Sequence, residues 1–150
     1  MNLKDVIDEK TILTELETQN REETLETLVE LFKQENYIAD QKGFLEAVYK
    51  REAEGVTGIG NLVAIPHGKS KSVNKVGIAI AILKDTVEWP ALDDKGAKVV
   101  ILLAVGEDND NSKEHLKLLS LIARRLSNDE VIEQLLNAKQ KSEVVSILSN

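Results

Sequence analysis

Two hydrophobic periods alternate along the chain. Leu25, Leu28, Val29 and Phe32 recur at helical spacing, and Asn20 followed by Glu23 supplies a capping arrangement ahead of them. Asp40 stands in the same relation to a second helix with Phe44, Leu45, Val48 and Tyr49 along one face. Gly55, Gly58 and Gly60 then break regular structure. In TILTEL, Ile12 and Leu13 begin an edge strand. LVAI (62–65) reads as a short buried strand stopped by Pro66. VGIAIAIL (76–83) and KVVILLAV (98–105) are longer β-branched runs without polar alternation, the pattern of strands covered on both faces. DTVEWPALDDKGA, between them, reads as a strand and turn at a sheet edge, and GEDNDNS (106–112) as a polar loop. Asn111 or Ser112 caps a helix bearing His115, Leu118, Leu119, Ile122 and Leu126, and two short helices follow from about Asn128 and about Ser142. The pattern predicts an α/β fold, a sheet between helical layers, in one domain over residues 1–150 with no repeats or linkers.

Composition narrows the chemistry. An apolar fraction of 42% in 150 residues supplies one core. With 19 basic and 26 acidic residues the formal charge is 19 − 26 = −7, which gives no general attraction for phosphate backbones, so no nucleic-acid partner is expected. The absence of cysteine removes disulfides, thiolate metal sites and a cysteine nucleophile. MNLKDVIDEK has no apolar segment behind its charges, and the longest apolar runs are too short to span a bilayer, so a soluble cytoplasmic protein is expected. Reactive side chains are then few, and His67 and His115 stand out.

His67 lies in TGIGNLVAIPHGKS (57–70), at the end of the short strand, between a residue that fixes its φ and one that turns without a Cβ. A neutral imidazole there offers a nitrogen nucleophile, while a surface histidine with no task fits the same spacing. Arg51, in KREAEG, offers a fork for a phosphoryl group or simply complements the end of its helix. His115 shares a helix face with Leu118, Leu119 and Ile122, so periodicity favours a buried, hydrogen-bonded core histidine over a second site imidazole. GKSKSVNK (68–75) is a basic patch, either a solvated loop or an edge for an acidic partner or a phosphate. No Walker loop, G-x-G-x-x-G or G-x-S-x-G is present, and no local histidine spacing supports a metal site, so neither cofactor nor metal is expected.

GIGNLVAIPHGK (58–69) resembles the enzyme IIA domain of the fructose–mannitol class of the bacterial phosphoenolpyruvate:sugar phosphotransferase system. KREAEGVTGIG (50–60), the segments around Trp89 and LDDKGAKVVILLAV (92–105), and HLKLLSLIARRL (115–126) extend the resemblance, in order, over essentially the whole chain. It implies a mixed, roughly five-stranded sheet flanked by helices on both faces. It also implies a phosphotransferase role in which Nε2 of His67 accepts a phosphoryl group from phospho-HPr. A cysteine of a cognate IIB domain then receives it, with a membrane IIC component involved only indirectly. By the same resemblance Arg51 steadies the phosphohistidine and His115 is the second active-site histidine. Leu62 stands where glycine is common, and Gly106 where proline is frequent. Fructose-type sugar uptake is the leading expectation; a nitrogen-type regulatory IIA paralogue is the alternative, and an adaptor with an inert His67 a third. The −7 charge suits a basic carrier such as HPr.

Overall fold

The two long β-branched runs form the centre of the sheet. In the computed structural model, which describes residues 2–149 apart from the side chains of 109–112, β5 (Gly77–Val87) and β6 (Ala97–Val105) pair antiparallel with Ile80 opposite Ile101. β1 (Ile12–Leu16) adds in parallel to β5 as the expected edge strand. On the other side of β6, β3 (Val63–Ala64) and β4 (His67–Lys69) lie end to end, both parallel to it. β2 (Gly58–Gly60) closes that side, antiparallel to β3. The result is a mixed six-stranded sheet; counting the interrupted β3–β4 track once gives five.

Strand alternation sorts the core into two layers. Ile78, Ile80 and Ile82 of β5 face α1 (Leu3–Val6), α4 (Asn109–Leu126), α5 (Asp129–Leu136) and α6 (Lys141–Ser149), where Leu118, Ile122, Leu135 and Val144 meet them. Ala79, Ala81 and Ala104 face α2 (Arg21–Gln34) and α3 (Gln41–Glu54). Small strand residues on that face leave room for aromatic rings from the helices. Phe32 and Phe44 pack edge to face at 5.9 Å, and a Cβ on Gly68 would run into Phe44. Burying a ring of this size contributes roughly 2–3 kcal/mol. It draws α3 down onto β4, and so onto His67.

Both expected caps form: the Asn20 side chain accepts from Glu23 N–H and that of Asp40 from Gly43 N–H. Asn128 caps α5 in the same way. The short strand does stop ahead of Pro66, at Ala64, yet the Pro66 carbonyl accepts the Leu103 N–H at 3.0 Å, so pairing with β6 crosses the break and resumes as β4. Three expectations need correction. Gly58–Gly60 is a strand and not a break, because Gly58 exchanges hydrogen bonds with the 90–92 segment where a Cβ would not fit. β5 runs on to Val87, and the Trp89 segment follows as a connection lying against β2. Helix α4 opens at Asn109 inside the expected polar loop, ahead of Asn111 and Ser112, whose side chains lie outside the described residues.

Candidate functional site

The turn entering β3 aims the Pro66-His67 segment. Gly60, Asn61 and Leu62 all have positive φ, at 97°, 57° and 68°. Glycine and asparagine tolerate this region, whereas leucine is strained there. The strain is held from both sides. Asp93 accepts the N–H groups of Asn61 and Lys95, which holds its carboxyl below the usual range, and the Leu62 carbonyl accepts those of Lys98 and Val99.

Among the described residues β4 pairs only with β6, and the second half of α3 flanks it. Gly68 faces Phe44, so His67 and Lys69, one residue to either side, point away from that ring. A surface cavity of about 420 Å³ opens there. β4 contributes His67 and Lys69, α3 contributes Arg51 with Lys50 and Glu54, and His115 and Glu107 come from α4 and the residues before it. A larger cavity of about 600 Å³ beside Trp89 and Arg21 contains neither histidine, and the reactive groups, not size, decide between the two.

The two imidazoles meet at 5.0 Å between ring centroids, inclined at 72°. Nδ1 of His67 is buried without a hydrogen-bond partner. The carbonyls of Ile65 and Pro66 lie close enough to favour the protonated ring, but neither closes a hydrogen bond with that nitrogen. Burial, then the positive potentials of His115 and Arg51, push the His67 pKa down from 6.5 to about 4. The ring is therefore neutral at ordinary pH, with a lone pair available. His115 is held below its usual value as well, by burial and then by Lys69 and Arg51. Arg51 complements the end of its helix, where Nη1 donates to the Gly55 carbonyl at 3.2 Å, and its side chain lines the cavity.

The structure thus brings together all three residues singled out in the sequence. His115 departs from the core histidine that periodicity favours: it is half-buried, lines the cavity, and its buried Nε2 has no hydrogen-bond partner among the described residues. Lys69 was not singled out. Its signal was the basic patch at 68–75 together with its position two residues after His67, which puts both on one face of a strand. Among the described residues no group of three or more His, Cys, Asp or Glu side chains is placed to hold a metal ion.

A neutral imidazole among cations at a shallow opening is suited to taking up an anionic group from another molecule. Residues 5–150 match the family model described as "Phosphoenolpyruvate-dependent sugar phosphotransferase system, EIIA 2". The chain belongs to this family. As an EIIA component it is a phosphotransferase, a carrier of phosphoryl groups. It is similar to the fructose-specific EIIA component of Haloferax volcanii, with 35% identity over 86% of this chain and 82% of that protein. It is also similar to the fructose-specific EIIABC component of Bacillus subtilis, with 30% identity over 99% of this chain but only 23% of that protein. The EIIA chain therefore spans about a quarter of such multidomain relatives and most of the stand-alone one. Among solved structures, nitrogen regulatory protein IIA-Ntr from Neisseria meningitidis superposes with a TM-score of 0.88 at 28% identity, covering 97% of each chain. Enzyme IIAMTL of Escherichia coli, solved in complex with phosphorylated IIBMTL, shares the fold at a TM-score of 0.81 and 23% identity, over 95% of this chain and 96% of that one. No helix among the described residues of this EIIA chain is long and apolar enough to cross a membrane.

Proposed function

We propose that Nε2 of His67 accepts a phosphoryl group from the phosphohistidine of HPr and hands it to a cysteine of a cognate IIB domain. The observation that supports this reading best is the neutral His67 ring, its Nδ1 buried, in a cavity shared with Arg51, Lys69 and His115. In the first transfer the P–N bond to the donor imidazole breaks and the P–N bond to His67 Nε2 forms. The donor ring leaves with the electron pair, and a neutral acceptor needs no base to remove a proton. The protein's work is alignment and charge neutralisation. Arg51 and Lys69 supply cationic donors for the equatorial oxygens. The unpartnered Nε2 of His115 gains a partner when a phosphoryl oxygen arrives. In the second transfer the P–N bond breaks, a P–S bond forms with a IIB thiolate, and His67 regains its lone pair. This chain has no cysteine, so that step takes place on another protein or domain.

The sugar is proposed to be of the fructose type, on the similarity to the Haloferax volcanii protein. Membrane IIC takes part only through IIB, and the setting is the cytoplasm. The second reading is a regulator of the nitrogen type, favoured by the likeness to IIA-Ntr of Neisseria meningitidis. Incubation with phosphoenolpyruvate, enzyme I and HPr is expected to add the mass of one phosphate, acid-labile and alkali-stable. The addition should vanish in His67→Ala; label that persists in this variant refutes His67 as carrier. Transfer onward to a IIB cysteine separates the transport reading from the regulatory one.

A further inference from the structure

One buried carboxylate has no part in the transfer just described. Glu52 follows Arg51 in α3, and its side chain is only 4% exposed. Its Oε1 accepts from the Thr57 hydroxyl at 3.0 Å and from Arg21 Nη1 at 3.4 Å, while Oε2 is buried with no partner. Burial raises its pKa, against the hydrogen bond from Thr57 and the charges of Arg21 and Arg51. A buried carboxylate with an unsatisfied oxygen weakens a fold relative to an apolar side chain of similar size. Its contribution must lie elsewhere.

The links around Thr57 show where. The Thr57 hydroxyl also accepts from Trp89 Nε1 at 3.0 Å, and the Thr57 carbonyl accepts the Ile65 N–H at 2.9 Å. Ile65 leads directly into Pro66 and His67. Between Glu52 and Thr57 the chain passes through exposed Glu54, Gly55 and Val56, and there the Gly55 carbonyl accepts from Arg51 Nη1. A short hydrogen-bonded path therefore joins the residue after Arg51 to the segment that carries His67.

We propose that Glu52, acting through Thr57, is a positioning residue that holds Arg51 of α3 against His67 of β4 for phosphoryl transfer. This rests on the reading of Arg51 as a phosphoryl ligand. The test measures transfer from phospho-HPr to this chain as a function of donor concentration. Glu52→Ala is expected to lower the maximal rate by roughly tenfold or more, with the half-saturating donor concentration unchanged, as misplacement of a reacting group does. Glu52→Gln, which keeps the acceptor oxygen, restores most of the rate, and a Gln variant as slow as the Ala variant overturns the proposal. Combining Glu52→Ala with Arg51→Lys is expected to cost no more than Arg51→Lys alone, because both act through one guanidinium. Losses that multiply mean that Glu52 acts only on the fold, and overturn the proposal. Thr57→Val, with Thr57→Ser as its rescue, applies the same cycle should Glu52→Ala fail to fold. Wild-type rates in Glu52→Ala and Thr57→Val beside a slow Arg51→Lys defeat the positioning role alone. A wild-type rate in Arg51→Lys defeats the underlying reading, and the positioning role with it.

Discussion

Acidification tests the central electrostatic claim about His67. Its folded pKa of about 4 lies below the ordinary 6.5 because burial, His115 and Arg51 all oppose the charged ring. Between those two values the unfolded chain binds a proton that the native His67 does not. Stability conferred by the neutral ring is therefore complete above about pH 7 and is lost as pH falls toward 4. Going from pH 7 to pH 5, the linkage amounts to about 2 kcal/mol from His67 alone, a substantial part of a typical total of roughly 5–15 kcal/mol. His115, also held below its usual value, adds in the same direction. Two histidines give two ¹³C–¹H ring titration curves by NMR, and His115→Gln assigns them. The same variant removes one positive neighbour and should raise the His67 midpoint. Urea unfolding at pH 7 and pH 5 supplies the energy independently. A His67 midpoint at 6 or above, with unfolding free energy unchanged between the two pH values, would refute the argument that the ring is kept neutral by its surroundings.

His115→Ala should still accept phosphate on His67 but pass it to IIB more slowly; an unchanged onward rate removes its role in transfer. At Leu62, where φ is 68°, the usual order of substitutions should invert: Leu62→Gly is expected to be about 1 kcal/mol more stable than Leu62→Ala in urea, since only the latter keeps a Cβ in the left-handed region. Gly68→Ala drives a Cβ into Phe44 and should destabilise the fold by about 1–3 kcal/mol, read as a lowered melting temperature. Asn20→Ala removes the acceptor for Glu23 N–H and should cost about 1 kcal/mol, with equal stability of variant and wild type ruling out the cap.

The elements that the sequence made legible are those whose signal is local. Caps at Asn20, Asp40 and Asn128 are short-range hydrogen bonds, and the β5 and β6 runs announce burial on both faces by their continuous apolar character. What local pattern missed mostly involves partners distant in sequence. Pro66 ends β3 on local grounds, but the track resumes beyond it because Leu103 supplies a donor to its carbonyl. Gly58 looked like a break until the 90–92 segment paired with it. His115 looked like a core residue because its helix face is apolar, but the open edge of β4 leaves that end of α4 facing a cavity. Glu52 gave no signal at all, since a glutamate in KREAEG reads as solvent-exposed helix until Thr57 and Arg21 are brought to it.

Burial does most to keep the two imidazoles neutral; Arg51 adds to it at both His67 and His115, and Lys69 adds to it at His115. In the proposed transfer the same charges would meet the equatorial oxygens of the incoming group, which carries negative charge that water no longer shields fully. A phosphoryl group on His67, as proposed, would offset their positive potential, so His115 would gain proton affinity when a donor to a phosphoryl oxygen is useful. The overall charge of −7 does not oppose this, because screening limits exposed charges to about 8–10 Å at physiological salt, and the lysine and arginine side chains stand within the cavity wall itself. A protonated His67 would have no lone pair to offer and would repel the Arg51 guanidinium. Burial and the cationic wall thus act together on the His67 pKa, and under the proposed carrier role, relieving either should slow transfer.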